Sequence, residues 1–208
     1  MGLFLPRANL DPTHEKDAVK LTEQLGIQLK KIPISGMVNE FILAVGQEMG
    51  KNRLIVGNAM ARFRMILLYA HANQLNYLVI GTSNKSEIMI GYITKYGDGG
   101  VDFEPCGDLY KTQMKILAKY LKIPQEIINK TPTAALWDGQ TTEGELGIKY
   151  DIIDKTLLAI NKGYTKRQII QELAIEEAIY EKIDRMIKKS EHKRNIPPVL
   201  SLGKKQHS

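Results

Sequence analysis

The fold of this chain is decided by residues 77–111, YLVIGTSNKSEIMIGYITKYGDGGVDFEPCGDLYK. The stretch opens with a short apolar run at residues 77–80, whose length and β-branched residues predict a buried parallel strand. A helix start follows at once, because Asn84 is a good N-cap and Glu87, three positions later, completes the spacing of a capping box. Ligands of open α/β sheets bind beyond the carboxyl ends of the strands. We therefore expect a ligand near residues 82–87.

The remainder of the stretch is rich in glycine, aspartate and lysine. Lys95 precedes a glycine-rich turn at residues 97–100, and Asp102, Asp108 and Lys111 follow it. Such residues above the end of a strand commonly present amide and ammonium groups to phosphates. This pattern predicts a phosphate-binding site.

The segments on either side predict an α/β fold. Apolar runs indicate strands at residues 2–5 and 27–34, and helical periodicity indicates helices at residues 14–25, 37–49, 54–75, 112–121 and 150–189, the last interrupted at Gly163. Residues 131–147 are predicted to be a turn followed by a polar loop. The order of strands and helices indicates a parallel sheet flanked by helices, with right-handed crossovers.

The composition limits the class of protein. The 208 residues are 43% hydrophobic and 25% charged, which is typical of one globular domain spanning residues 1–208. No apolar run approaches the roughly 18 residues of a membrane span, and the N-terminus lacks the features of a signal peptide. The single cysteine, Cys106, excludes an internal disulfide and a multi-cysteine metal site. We predict a cytoplasmic protein without a membrane partner.

The net charge of +6 is concentrated in the C-terminal tail, residues 182–208. Between residues 182 and 205 there are eight lysines and arginines against two acidic residues, which accounts for the whole excess. Aromatic residues, which would stack on bases, are absent after Tyr180. A solvated tail is therefore the default interpretation, including for His192 and Lys193, and no nucleic-acid partner is predicted.

Each candidate site residue also has an ordinary structural explanation. Glu87 could serve only as the capping-box glutamate. Lys95 and Lys111 could be surface lysines, the commonest location of that residue. Arg62 lies four residues after Asn58 on an apolar helix, so a buried ion pair is as good an explanation as a ligand contact. From these residues alone, the chain is an α/β protein with a possible phosphate site.

Several motifs in collinear order are more specific. They are GNxxARxRM at residues 57–65, GTxNKSE at 81–87, TKYGDGGxD at 94–102, GDLYKTQ at 107–113, PTA at 132–134, GQTTEGELG at 139–147 and EHKR at 191–194. In this combination the chain resembles the ammonia-dependent NAD synthetases, which are N-type ATP pyrophosphatases. The resemblance covers essentially the whole sequence.

The resemblance implies an adenine-nucleotide alpha-hydrolase-like α/β fold and a two-step ligase reaction. Members adenylate the nicotinate carboxylate of deamido-NAD with ATP, release pyrophosphate, and then let ammonia displace AMP to give NAD. It further implies Mg²⁺ as cofactor, ATP as co-substrate, and a homodimer with the deamido-NAD site at the subunit interface. The chain shows no glutaminase motif, so free ammonia or a separate amidase is expected to supply the nitrogen.

The resemblance also implies roles for individual residues. ATP contacts are implied for Thr82, Lys111 and Thr133, a magnesium ligand for Glu87, and deamido-NAD contacts for Arg62, Lys95, Asp102, His192 and Lys193. Lysines and a metal suit this chemistry, because negative charge develops on the phosphates as pyrophosphate leaves.

The sequence departs from the family pattern in three places. The family has a first strand followed by an SGGxDS phosphate loop, and we expect that central strand to be missing from this chain, which is interpreted as N-terminally truncated relative to the family. Ala135 stands where aspartate is usual, and Arg7 where many members have serine or tyrosine. Two alternatives stay open: a non-catalytic relative that binds deamido-NAD and dimerises, and a pyrophosphatase with another acceptor, such as a GMP-synthetase-like module.

Overall fold

Two short strands near the N-terminus form a parallel pair. The computed structural model describes residues 1–7, 11–137 and 139–200. Strand β1 (Gly2–Phe4) pairs with β2 (Leu29–Lys31), with Gly2 opposite Leu29, and helix α1 (Thr13–Gln24) connects them. Gly26 has a φ of +62°, which allows the chain to turn after α1. The β-α-β unit is confirmed, although β2 is shorter than predicted.

Three helices follow β2 and cover the first core. They are α2 (Ser35–Val45), α3 (Gln47–Lys51) and α4 (Arg53–Leu75). The single helix predicted over residues 37–49 is wrong, because Gly46 has a φ of +84° and divides it. The prediction for residues 54–75 is confirmed, and the Asn52 side chain caps that helix by accepting from the Leu54 and Ile55 amides. Their apolar faces enclose a cluster of buried residues: Leu5, Ile34, Val38, Val56 and Met60.

The prediction of a buried strand at residues 77–80 is wrong in both the length and the burial of the strand. The segment forms one parallel bridge, between Ile80 and Phe103, and Val79 is buried. Leu78 and Ile80 are 73% and 63% exposed. A segment with strand propensity forms a regular strand only where neighbouring strands pair with it. The described residues give this segment a neighbour on one side.

The second half of the chain is helical. Its helices are α5 (Lys85–Ile90), α6 (Lys111–Tyr120), α7 (Gln125–Ile128), α8 (Thr142–Leu146), α9 (Tyr150–Asn161), α10 (Lys166–Leu173), α11 (Glu177–Lys189) and α12 (Glu191–Arg194). The predicted interruption at Gly163 is confirmed, and the chain turns again at Ala174. The segment predicted to be a polar loop contains the short helix α8. Thr141 caps the start of this helix, and Gly147 ends it. No helix in the described part of the chain is both long and apolar enough to cross a membrane.

The second core packs against the helices that carry the candidate site. It contains eight buried residues: Ile90, Tyr110, Leu146, Ile148, Tyr150, Ile153, Leu157 and Ile183. Ile90 at the end of α5 and Tyr110 immediately before α6 both belong to this core, so the core anchors both helices. The core therefore fixes the positions of Glu87 and Lys111.

Neighbouring leucines on α9 test how far this core stabilises the fold. We expect Leu157→Ala to lower the free energy of unfolding by about 2–5 kcal/mol, since it leaves a cavity in a fully buried position. Leu158 is 42% exposed, so Leu158→Ala should cost less than about 1 kcal/mol. Urea denaturation of both variants measures the difference, and equal losses would contradict the assigned core.

Candidate functional site

The first turn of α5 contains the capping box that the sequence predicted. The Asn84 side chain accepts from the Glu87 amide at 3.1 Å, and Glu87 Oε2 accepts from the Asn84 amide at 3.2 Å. The other carboxylate oxygen remains available for side chains. Glu87 Oε1 accepts from Lys111 Nζ at 2.9 Å and from the Tyr150 hydroxyl at 3.4 Å. Glu87 thus caps its helix and also joins three elements.

We call Glu87, Lys111 and Tyr150 the Glu87 cluster. The side chains of Lys111 and Glu87 are 25% and 17% exposed, so their ion pair is partly shielded from water. Lys111 Nζ also lies 5.5 Å from the centre of the Tyr150 ring. Burial, and then the negative charge of Glu87, raise the pKa of Tyr150. Tyr150 therefore remains a neutral hydrogen-bond donor to the carboxylate.

Of the three predicted ATP contacts, Thr133 lines an open cavity whose described lining does not include Thr82 or Lys111. Lys111 belongs to the Glu87 cluster, and Thr82 is exposed two residues before Asn84. Thr133 lines a separate open cavity of about 820 Å³, where its hydroxyl accepts from the Ala135 amide at 3.0 Å. The described lining of this cavity comprises Arg7, Asp11, His14, Ser35, Asn39, Lys130, Thr131, Thr133, Ala135, Leu136, Trp137, Gly139, Gln140 and Thr141.

The cavity combines features that suit a nucleotide. Trp137 supplies an aromatic surface, while Arg7, His14 and Lys130 supply groups that can carry positive charge. Arg7 and Ala135, two of the departures from the family pattern, both line it. If Arg7 and Ala135 change how the protein recognises a nucleotide, they do so by altering the lining of this cavity.

Three of the predicted deamido-NAD residues are neighbours. Arg62 Nε donates to the Lys95 carbonyl at 3.3 Å, and Lys95 Nζ donates to the His192 carbonyl at 2.6 Å. Arg62 is exposed, so the alternative of a buried ion pair for this residue is wrong. Its guanidinium retains donors that face solvent.

The segment around Lys193 is anchored to the protein, and its interpretation as a solvated tail is wrong. Lys193 Nζ donates to the carbonyls of Gly91 and Ile93 at 2.7 and 2.6 Å, and burial lowers the pKa of this ammonium group. Arg194 donates to the Met89 and Ile187 carbonyls. The Met89 and Gly91 carbonyls lie at the C-terminal end of α5, where carbonyls lack partners within the helix. The Ile93 carbonyl lies just beyond that end, and the Ile187 carbonyl belongs to the last turn of α11.

Asp102 supports the strand end. Its Oδ2 accepts from the Val79 amide at 2.7 Å, and its Oδ1 accepts from the Tyr69 hydroxyl at 3.0 Å. Each carboxylate oxygen therefore has a protein donor. The described contacts do not join Asp102 to Arg62 or Lys95.

The glycine-rich turn does not present its amides to a ligand, contrary to the prediction. The Gly97 and Gly99 amides donate to the Thr94 carbonyl, and the Gly100 amide donates to the Gly97 carbonyl. A Cβ atom at Gly97 would lie 2.9 Å from that of Ala61 on α4. Glycine is required here because the turn packs closely against a helix.

Sequence reasoning missed Glu104, which covers the strand end. Glu104 Oε2 accepts from the Ser83 amide at 3.0 Å, and a Cβ atom at Gly81 would lie 2.3 Å from the Glu104 carboxyl carbon. Burial raises the pKa of Glu104, and the charges of Asp98 and Glu87 add to this effect, although the bonds from Ser83 oppose it. The signal was available, because Glu104 lies two positions after Asp102 on the bridging segment and so faces the same side.

Glu87 is the described residue that best fits a magnesium ion. The described residues contain no group of three or more histidine, cysteine, aspartate or glutamate side chains placed to hold a metal. Magnesium usually binds one or two protein carboxylates and completes its shell with phosphate oxygens and water. Glu87 would supply one such carboxylate by exchanging the hydrogen bond from Lys111 for the metal ion.

Comparisons with known proteins identify the family of the chain. The family model described as NAD synthase matches residues 1–197. The chain belongs to this family. It is 45% identical over 203 residues to the NH(3)-dependent NAD(+) synthetase of Methanosarcina acetivorans, covering 97% of this chain and 79% of that protein. It is also 45% identical to the enzyme of the same name from Thermococcus kodakarensis, over 95% of this chain and 76% of that protein.

Solved structures show the same fold. An NMN synthetase from Francisella tularensis superposes with a TM-score of 0.83 at 36% identity, covering 96% of this chain and 78% of that one. The NH3-dependent NAD synthetase from Campylobacter jejuni gives a TM-score of 0.77 at 30% identity, over 96% of this chain and 76% of that one. These similarities confirm the predicted α/β nucleotide alpha-hydrolase fold.

The raised pKa of Glu104 predicts how stability changes with pH. A carboxyl group whose pKa is higher in the folded state than its ordinary value of 4.5 disfavours folding once the pH exceeds that value. We expect Glu104→Gln to raise the melting temperature at pH 7–8 by about 2 °C, with the gain disappearing near pH 4. Thermal unfolding measured across this pH range is the test.

Asp108 provides a control of opposite sign. The hydrogen bond from Lys85 lowers the pKa of Asp108, so Asp108→Asn should not raise the melting temperature at neutral pH. If both variants changed the melting temperature equally across this pH range, the assignment of a raised pKa to Glu104 would be contradicted.

Proposed function

We propose that this protein is an ammonia-dependent NAD synthetase, which amidates deamido-NAD at the expense of ATP and releases AMP and pyrophosphate. The observation that carries the proposal is the contact between Lys111 and Glu87 at the first turns of α5 and α6, within a family of NAD synthases. A lysine and a carboxylate at this place suit the binding of a nucleotide phosphate with its metal ion. A cytoplasmic location agrees with the single cysteine.

The reaction has two steps with balanced bonds. A nicotinate carboxylate oxygen forms a bond to the α-phosphorus of ATP, and the bond from that phosphorus to pyrophosphate breaks. Ammonia then forms a bond to the carboxyl carbon, AMP leaves, and the amine loses a proton. Lys111 supplies positive charge as negative charge develops on the phosphates. Magnesium held by Glu87 would add Lewis acidity at the same phosphates.

The acceptor substrate would lie beside Arg62 and His192, which are each hydrogen-bonded to Lys95 between them. Positioning the two anionic substrates in line would supply much of the rate acceleration. The bound substrates are already oriented for reaction, so no random collision in solution is needed. We extend the proposal to Asp102 and Lys193. Their side chains would contact the substrate in addition to their present hydrogen-bond partners. On the ATP side, Thr82 and Thr133 are proposed as further contacts.

We also propose a homodimer, with the deamido-NAD site at the interface. Leu43 on α2 and Leu54 and Ile66 on α4 are 75%, 65% and 51% exposed. Large apolar side chains that remain exposed on adjoining helices are typical of surfaces covered by another subunit. Helix α4 also carries Arg62, which would place the substrate near that surface.

A mononucleotide acceptor is the second candidate. It is favoured by the superposition on the NMN synthetase of Francisella tularensis. The corresponding substrate would be nicotinate mononucleotide, which lacks the AMP half of deamido-NAD. The curated relatives with 45% identity favour the dinucleotide.

The decisive experiment supplies ATP, Mg²⁺ and ammonium to the purified chain with either acceptor. We expect a larger kcat/KM with deamido-NAD than with nicotinate mononucleotide, and one AMP released for each NAD formed. A preference for the mononucleotide would establish the second candidate. Binding of deamido-NAD in calorimetry without AMP release would indicate a non-catalytic relative.

Substitution of two lysines on α6 distinguishes a catalytic role of Lys111 from a general effect of surface charge. We expect Lys111→Met to lower kcat/KM for ATP by about 100-fold, because it removes a positive charge that interacts with the transition state. Lys115 lies one turn later and is exposed, so Lys115→Met should retain the wild-type kinetics. Equal losses in the two variants would refute the role assigned to Lys111.

A further inference from the structure

A buried polar network lies directly behind the Glu87 cluster. Asp154 on α9 is 4% exposed, and its Oδ1 accepts from the Ser86 hydroxyl. Its Oδ2 accepts from the Thr112 amide at 2.8 Å. The Ser86 oxygen in turn accepts from the Lys111 amide at 2.9 Å, and Ser86 is fully buried. One carboxylate therefore connects α9, α5 and α6.

The network holds the backbone on which the cluster is built. Ser86 immediately precedes Glu87, and Lys111 is the first residue of α6. The first amides of a helix have no acceptor within the helix. Here Ser86 and Asp154 accept from the first two amides of α6. The same contacts therefore cap one helix and fix its start against the first turn of another.

Helix α9 supports both parts of the site from one face. Tyr150 and Asp154 are four residues apart, so they point in the same direction. The hydroxyl of Tyr150 contacts Glu87, and the carboxylate of Asp154 contacts Ser86. A shift of α9 would move the Glu87 carboxylate and the Lys111 backbone together.

The chemistry of Asp154 suits a fixed support. Burial of a carboxylate is costly unless donors surround it. Asp154 has a hydroxyl donor and an amide donor, and it lies at the positive end of the α6 dipole. An unsatisfied oxygen or donor in this network would be costly, so the arrangement has little freedom to shift.

We propose that Asp154 is a positioning residue for the amidation reaction. Through Ser86 and the start of α6, it holds the Lys111 ammonium group at the place where the phosphates of ATP bind, beside Glu87. The inference rests on the proposed function, which places ATP at this pair. Asp154 itself contacts neither substrate, and its effect passes through Lys111.

The test compares two aspartates of the same helix. Asp154→Asn keeps the size of the side chain and one acceptor oxygen but removes the charge. Asp151→Asn is the matched control, since Asp151 is exposed and pairs with Lys155. We expect Asp154→Asn to lower kcat/KM for ATP on the order of 100-fold at a temperature where it is fully folded, and Asp151→Asn to match the wild type.

A double-mutant cycle distinguishes positioning from general destabilisation. If Asp154 acts through Lys111, then Asp154→Asn has little further effect on kcat/KM in a Lys111→Met background. Losses that multiply in the double variant would overturn the proposal. If Asp154→Asn does not fold, Ser86→Ala replaces it in the same cycle, because it removes the acceptor of the Lys111 amide.

Amide hydrogen exchange supplies a readout that does not depend on turnover. The Lys111 and Thr112 amides should exchange roughly tenfold faster in Asp154→Asn, while amides in the middle of α9 keep their wild-type rates. Failure of the unaltered chain to amidate either acceptor would overturn the proposed function and the role of Asp154 with it. Normal kcat/KM in the Asp154→Asn enzyme would overturn the positioning role alone.

Discussion

The carboxylate of Glu87 is the interaction on which the site depends. It accepts from the backbone of its own helix, from a lysine at the start of α6 and from a tyrosine on α9. A partly buried carboxylate with two donors on one oxygen and one donor on the other has a defined position. The cap and the candidate ligand site are therefore the same group, and the two explanations considered for Glu87 are compatible.

The opposite end of α5 is fixed in a complementary way. Lys193 and Arg194 donate to carbonyls at and after its last turn, and Gly91 approaches Ser190 so closely that a Cβ atom would lie 2.0 Å from the serine Cβ. Positive groups at a helix C-terminus also interact favourably with the helix dipole. A helix of six residues is thus held at both ends, which compensates for its small number of internal hydrogen bonds.

Local patterns were predicted well, and long-range contacts were not. The capping box at Asn84, the long helix over residues 54–75 and the break at Gly163 depend on neighbours within a few residues, so spacing reveals them. The strand at residues 77–80 depends on partners elsewhere in the chain, and its exposure could not be read from its composition. The motifs selected Lys111 and Glu87, but spacing alone could not show that Tyr150 would contact Glu87 from 63 positions away, or that Asp154 would contact Ser86 from 68 positions away.

The ion pair between Lys111 and Glu87 has a consequence for binding. Each side chain neutralises the other where burial would otherwise make an isolated charge costly. In the proposed site, an incoming phosphate would compete with the carboxylate for the ammonium group, and a cation would compete with the ammonium group for the carboxylate. The two ligands together restore neutrality, whereas either one alone leaves one partner without its counter-charge. Nucleotide and cation are therefore expected to bind here with positive coupling, which is reciprocal by thermodynamic linkage.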